Sequence, residues 1–126
     1  MICGIGTDLV FIPRIRQMLE RFGDKAARRI LDAEEFLAFQ RSSQPAAFLA
    51  KRFAAKEAAA KALGTGFRHG LSLQHIAVRN DELGKPALKL IEVAQHRMSQ
   101  IKANRAFLSL SDDGDYASAY VILTEG

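Results

Sequence analysis

Hydrophobic and polar positions change their spacing twice along the chain. The opening segment Ile2–Val10 is typical of a strand, whereas between Pro13 and Leu63 apolar residues recur every three or four positions, which predicts helices. From Leu71 onward short alternating runs predict strands, with one helix over Ile91–Lys102. The sequence therefore predicts an α+β fold in which helices pack on a small, mainly antiparallel sheet.

Proline, glycine and capping residues set the ends of the predicted elements. Pro13 opens the first helix, because a proline in the first turn loses no intrahelical hydrogen bond, and Gly23 ends it. Asp32 followed by Glu35 has the spacing of an N-cap and its acidic N3 partner. The other predicted elements are helices over residues 32–40 and 46–63, the second of which ends at Gly64–Gly66, and strands over Leu71–Arg79, Ala87–Leu90, Arg105–Leu110 and Tyr116–Thr124.

Two glycines and a carboxylate share one face of the first predicted strand. Because side chains alternate along a strand, Gly4, Gly6 and Asp8 lie on one face, whereas Ile5 and Leu9 lie on the other. The second face carries the larger apolar side chains, so we expect it to face the core. The glycines indicate either the close approach of another group or a bulge or tight bend, and both interpretations stay open.

Composition and charge limit the class of protein. The length of 126 residues indicates a single domain, residues 1–126. The composition, with 48% hydrophobic and 25% charged residues, is typical of a soluble globular protein. The net charge of +4 fits an acidic partner without choosing its class. A single cysteine, Cys3, and no recognisable secretory signal or membrane span lead us to expect a cytoplasmic protein. Much of the apolar content is alanine, so burial between subunits would help a thin core.

The segment Lys51–Lys61 carries the most informative chemistry. Glu57 and Lys61 are four residues apart and can form an ordinary ion pair on a helix surface, worth about 0.2–0.5 kcal/mol. Alternatively, Glu57 binds a metal together with Asp8, because Mg²⁺ takes one or two carboxylates along with phosphate oxygens. Lys61 would then hold remaining phosphate charge. The residues alone leave both interpretations open.

The first predicted helix has a basic side. Arg14 and Arg21 are seven residues apart, so they lie nearly above one another, with Met18 on a neighbouring row. Such a side is either a solvated surface or a docking surface for an acidic partner.

Three segments together resemble the holo-[acyl-carrier-protein] synthases, the small bacterial type of 4′-phosphopantetheinyl transferase. They are Gly4–Asp8, Arg52–Ala58 followed by Lys61 and Gly64–Gly66, and Leu108–Asp112 followed by Tyr116 and Ala117. The resemblance covers nearly the whole chain, in order. It implies an enzyme in which a serine of apo acyl carrier protein attacks the β-phosphate of coenzyme A. Phosphopantetheine moves to the serine, and adenosine 3′,5′-bisphosphate leaves.

The resemblance implies roles for individual residues. Asp8 and Glu57 would hold Mg²⁺, although Mn²⁺ accepts the same ligands. Lys61 would contact the phosphates and assist removal of the serine proton, a step that water or another carboxylate could perform instead. Asp112 stands where many relatives have histidine, so we expect no phosphate contact there. The positions similar to coenzyme-binding ones are Arg52, Lys61, Gly64, Gly66 and Ser111.

The resemblance also implies partners. Acyl carrier proteins are acidic and would dock at Arg14, Met18 and Arg21, with Arg28 and Arg29 as additional contacts. Members of the family are homotrimers with active sites between subunits. We expect no nucleic acid, since basic and aromatic residues are not interleaved and no recognition motif is present. A non-catalytic trimeric scaffold and a Mg²⁺ nuclease are the remaining alternatives.

Overall fold

Five α-helices and five strands make up the computed structural model, which describes all 126 residues. In chain order they are β1 Ile2–Phe11, α1 Ile12–Phe22, α2 Asp24–Ile30, α3 Ala33–Gln40, α4 Pro45–Ala62, a 3₁₀ turn Leu73–His75, β2 Ile76–Asn80, β3 Pro86–Leu90, α5 Glu92–Gln100, β4 Arg105–Asp113 and β5 Tyr116–Thr124. The predicted α+β class is confirmed. None of the helices has the length and apolar character needed to cross a bilayer.

The strands form two antiparallel sheets rather than one. The larger has the order β1-β5-β4, and the smaller is the pair β2-β3. β5 is thus the central strand of the larger sheet, and in its pairing with β1 the residues Gly6 and Asp8 lie opposite Val121 and Ala119. This register places Asp8 on the inward face, beside the fully buried Ala119.

Helix α4 packs directly on β1, and the glycines of the strand make this contact possible. A Cβ atom at Gly6 would overlap the carbonyl oxygen of Ala58, and one at Gly4 would overlap that of Ala62. The close-approach interpretation of the glycines is therefore confirmed, and the approaching group is the backbone of α4. A register shift between Ile2 and Gly4 also gives the start of the strand an irregularity.

The predicted core face of β1 was wrong. Gly6 and Val10 are buried, whereas the exposed fractions of Ile5 and Leu9 are 64% and 63%. The helix backbone covers the face with the least bulk, which leaves the large apolar side chains pointing away from α4. Exposed apolar residues of β4 and β5 extend this surface, called the outer face below, whose members are Ile5, Leu9, Phe107, Tyr120 and Ile122.

Capping and turn residues predicted the ends of some helices and strands correctly and those of others incorrectly. Asp32 and Glu35 form the expected capping box, with both side-chain-to-backbone distances at 2.9 Å. The strand predicted over Leu71–Arg79 was too long, because Ser72 caps the 3₁₀ turn that precedes β2. Helix α2 (Asp24–Ile30) was missed altogether.

Candidate active site

β1 and α4 bring Asp8, Glu57 and Lys61 together. The ammonium of Lys61 donates to Asp8 Oδ1 at 3.0 Å and to the carbonyl oxygen of Thr7 at 2.9 Å. The side chain of Asp8 is 17% exposed and that of Lys61 is 53% exposed, so the group lies at the rim of the fold. Lys61 pairs with Asp8 rather than with Glu57, and the ordinary Glu57–Lys61 ion pair was the wrong alternative. These three residues are called the rim cluster below.

The rim cluster has more negative than positive charge. Burial and then the nearby Asp8 carboxylate raise the pKa of Glu57, and Lys61 only partly opposes them. Two partly desolvated carboxylates beside one ammonium therefore favour an added cation. The chain contains no group of three or more His, Cys, Asp or Glu side chains suited to a metal. A two-carboxylate site fits Mg²⁺, which completes its shell with water and phosphate oxygens, better than a closed zinc site.

Arg52 is buried on another side of α4. Its exposed fraction is 7%, and its guanidinium carbon lies 4.5 Å from the centroid of the Phe48 ring. Arg52 and Phe48 line a cleft of about 270 Å³ together with Lys51 and Asp112. Asp112 pairs with Lys51 at 3.2 Å, which gives this carboxylate a cationic partner within the chain. The cleft is therefore aromatic and cationic on the wall formed by α4.

Ser111 does not line the Arg52 cleft. It precedes Asp112 on β4, so its side chain points to the opposite face of the sheet, and the residue is exposed. The single chain therefore does not bring Ser111 and Arg52 to the same cleft.

Gly64 and Gly66 end α4 in left-handed conformations, with φ of +83° and +60°. Their amides donate to the carbonyl oxygens of Lys61 and Ala60, so the expected helix-terminating role is confirmed. Gly64 also borders a polar cleft of about 450 Å³. Arg97 lines that cleft and donates from Nε to the carbonyl oxygen of Leu63 at the end of α4.

The basic side of α1 adjoins an apolar cavity. Arg14 and Arg21 are exposed, and neither forms an ion pair within the chain. Met18 lines a cavity of about 380 Å³ whose other apolar walls come from α1, α2, α4 and the 3₁₀ turn, and Lys25 and Arg29 complete its lining. The sequence analysis missed this cavity because its walls come from segments far apart in the chain.

The sequence analysis also missed a buried ion pair between Lys56 and Glu35. Lys56 is fully buried and its Nζ lies 2.7 Å from Glu35 Oε1. Glu35 had been recognised only as a capping residue, and no feature of the sequence distinguishes Lys56 from a surface lysine.

Comparisons with known proteins place the chain in one family. The sequence model of the 4′-phosphopantetheinyl transferase superfamily matches residues 4–121. A holo-[acyl-carrier-protein] synthase from Shewanella frigidimarina is 50% identical over 122 residues, which is 97% of each chain. The crystal structure of a holo-[acyl-carrier-protein] synthase from Neisseria meningitidis superimposes with a TM-score of 0.91 at 42% identity, covering 99% of this chain and 100% of that one.

A further solved structure adds a ligand. It is a holo-(acyl-carrier-protein) synthase from Bacillus anthracis in complex with CoA (3′,5′-ADP), with a TM-score of 0.82 and 38% identity, covering 100% of this chain and 99% of that one. The matches span essentially the full length of the chain and include the strand of Asp8 and the helix of Glu57 and Lys61. The chain therefore belongs to the 4′-phosphopantetheinyl transferase superfamily and, within it, to the holo-[acyl-carrier-protein] synthases.

Proposed function

We propose that this protein transfers 4′-phosphopantetheine from coenzyme A to a serine of apo acyl carrier protein in a Mg²⁺-dependent reaction that releases adenosine 3′,5′-bisphosphate. The observation that carries the proposal is the rim cluster, in which two carboxylates and an ammonium meet at an accessible edge. The names of the relatives and the coenzyme in the Bacillus anthracis complex support the choice of substrates.

Asp8 and Glu57 are the residues that would hold the metal. When bound there, Mg²⁺ would neutralise charge on the pyrophosphate and on the leaving phosphate. Burial and then the neighbouring Asp8 carboxylate raise the pKa of Glu57, and the closeness of these two carboxylates supports a divalent cation. Mn²⁺ suits the same two carboxylates.

Lys61 supplies the second positive charge. Its ammonium has three N–H donors, of which Asp8 and Thr7 take two, so one donor remains for a phosphate oxygen. The serine oxygen forms the new bond to phosphorus, and the bond from that phosphorus to the bridging oxygen breaks. The proton of the serine passes to a base, for which Lys61, a water molecule or a carboxylate is available.

We infer that the active protein is a homotrimer with sites shared between subunits. The outer face exposes several large apolar side chains that a second copy of the chain can cover. Glu57 follows Arg52 by five residues, which turns it about 140° around α4, so the rim cluster and the Arg52 cleft face different directions. Ser111 lies towards the outer face. If neighbouring subunits each supplied one of them, the rim cluster, the Arg52 cleft and Ser111 could contact the same coenzyme A molecule.

The acidic carrier protein would dock on the basic side of α1. Arg14 and Arg21 offer unpaired positive charges, and Met18 lines the neighbouring apolar cavity. Charge would orient the carrier during its approach, and apolar contact would hold it. Lys25 and Arg29 of α2 extend the positive surface around the cavity.

The test is intact-mass spectrometry of an apo acyl carrier protein incubated with this protein, coenzyme A and Mg²⁺. We expect a gain of one phosphopantetheinyl mass, which disappears with EDTA and with the Asp8→Asn variant. Equal gain in EDTA would contradict the metal site. No gain with several carriers, from a folded protein, would contradict the proposed transfer.

A further inference from the structure

Lys56 is fully buried, and every N–H donor of its ammonium is used. Its Nζ donates to the carbonyl oxygen of Ile30 at 2.7 Å, to Glu35 Oε1 at 2.7 Å and to the carbonyl oxygen of Leu73 at 3.1 Å. A buried charge is costly unless it is paired and hydrogen-bonded, and Lys56 meets both conditions. It therefore fixes the end of α2 and the 3₁₀ turn against α4.

Glu35 is buried at the centre of the same network. Its Oε1 accepts from the ammonium of Lys56 and from the Asp32 amide, and its Oε2 accepts from the Val78 amide at 2.9 Å. Oε2 also lies 3.9 Å from Arg52 Nε, which is an ionic contact rather than a hydrogen bond. The carboxylate is thus held rigidly by three donors while it faces a second cation.

The guanidinium of Arg52 makes no hydrogen bond within the chain, although the residue is only 7% exposed. Its Nε is the one buried side-chain nitrogen or oxygen that lacks a partner. Glu35 lies on one side of the guanidinium, and the Phe48 ring packs against it. A buried guanidinium with unused donors at the wall of a cleft is suited to an anionic group of a ligand.

We propose that Glu35, held in place by Lys56, is a positioning residue that keeps the Arg52 guanidinium in the cleft, where it contacts the 3′-phosphate of coenzyme A. The inference rests on the proposed function. Lys56 and Arg79 are nearby positive charges, so Arg52 without Glu35 would be repelled towards solvent. Glu35 would thereby determine how strongly the enzyme prefers coenzyme A to 3′-dephospho-coenzyme A, although it touches neither.

The experiment compares kcat/KM for coenzyme A and for 3′-dephospho-coenzyme A in three variants. Arg52→Gln should reduce the preference for coenzyme A by about ten- to a hundredfold, the value of a hydrogen bond to a charged group. Glu35→Gln should reduce it by roughly three- to tenfold, as coupled neighbours do. Glu34→Gln is the matched control, since Glu34 is the adjacent carboxylate, is 69% exposed and contacts Arg79. It should leave the preference unchanged.

The preference ratio separates positioning from a general loss of stability. A smaller folded fraction lowers the rates with both donors equally, so equal losses in Glu35→Gln would overturn the inference. In the double variant Glu35→Gln/Arg52→Gln, we expect no further fall in the ratio beyond that of Arg52→Gln, because the two changes act through one contact. Additive falls would show that Glu35 acts independently of Arg52, which also contradicts the proposal.

Calorimetric dissociation constants for the two donors distinguish this inference from the proposed function. If the unchanged protein binds coenzyme A more tightly than the dephospho form but transfers nothing, the proposed function fails, and the variants still decide the role of Glu35. If the unchanged protein binds both donors equally, the positioning inference fails whatever the activity. Should Glu35→Gln not fold, Glu35→Asp withdraws the carboxylate by one methylene group. It should then lower the preference, and an unchanged ratio would refute the proposal.

Discussion

Two charge clusters on helix α4 contrast in almost every physical property. The buried cluster is the pair Lys56 and Glu35, which is enclosed, and the ammonium of Lys56 has its full set of hydrogen bonds. The rim cluster of Asp8, Glu57 and Lys61 is partly open and has an excess of negative charge, and burial followed by the Asp8 carboxylate raises the pKa of Glu57. A buried and fully hydrogen-bonded charge pair holds elements of the fold together, whereas partly exposed, unbalanced charges are available to bind a ligand.

Adjacent residues supply the two clusters. Lys56 and Glu57 are neighbours in sequence, but successive residues of a helix point about 100° apart. Lys56 therefore points towards α2, α3 and the 3₁₀ turn, whereas Glu57 points towards the strand of Asp8. Two adjacent residues can therefore serve different purposes: Lys56 stabilises the packing of the helices, whereas Glu57 is available to bind a ligand.

Removing Lys56 should give the largest effect, on stability. Lys56→Met leaves Glu35 less well paired and removes one donor each from the carbonyl oxygens of Ile30 and Leu73, so we expect a loss of about 3–5 kcal/mol in the free energy of unfolding. Urea unfolding measures it. The control is Lys51→Met on the same helix, where a half-exposed pair with Asp112 should cost at most about 1 kcal/mol. Equal costs would remove the distinction between buried and surface charges.

Neutralising a rim carboxylate should affect activity rather than folding. Asp8→Asn and Glu57→Gln should each reduce kcat by about 100-fold or more, as loss of a charged group at a transition state does. Both should keep the circular dichroism spectrum and the cooperative unfolding of the unchanged protein. Full activity in either variant would exclude that carboxylate from the metal site.

Charges remote from both clusters should affect carrier binding alone. Reversing Arg14 and Arg21 to glutamate should raise the KM for the carrier by about tenfold, with little change in the KM for coenzyme A. Arg16→Glu is the control, because Arg16 lies on the opposite side of α1, beside Glu20. If the control raises the carrier KM as much, net charge rather than a docking surface is responsible.

The smallest expected effect is a pH dependence of stability. A raised folded-state pKa means that folded Glu57 holds its proton at pH values where the unfolded chain has released it. The contribution of Glu57 to the free energy of unfolding therefore falls as pH rises through that interval. In metal-free buffer, Glu57→Gln should have a higher melting temperature than the unchanged protein above the interval and a smaller advantage below it. Scanning calorimetry at several pH values measures this, and a constant difference would contradict it.

The sequence predicted the features that depend on neighbouring residues. The capping box of Asp32 and Glu35, the proline that opens α1 and the glycine that ends α4 were all predicted from local spacing. Helix α2 was missed because its seven residues are too few to show a repeated apolar pattern, and only Ala26, Ala27 and Ile30 are buried.

The predictions at the site that were wrong concern contacts between segments that are distant in the sequence. Ile5 and Leu9 were assigned to the core because their own side chains are apolar, but α4 selects the glycine face by backbone contact. In the same way, Lys61 bonds to Asp8, 53 residues away, rather than to Glu57 one turn before it. Nothing within the helix could have revealed that choice.

The contact between Gly6 and Ala58 makes the separation of the Asp8 and Glu57 carboxylates a property of the main chain. No side chain lies between strand and helix there, so no rotamer change can absorb an added atom. One methyl group at position 6 would push β1 outward and carry Asp8, two residues later, away from α4. A single carbon atom at this position would thus separate the two carboxylates.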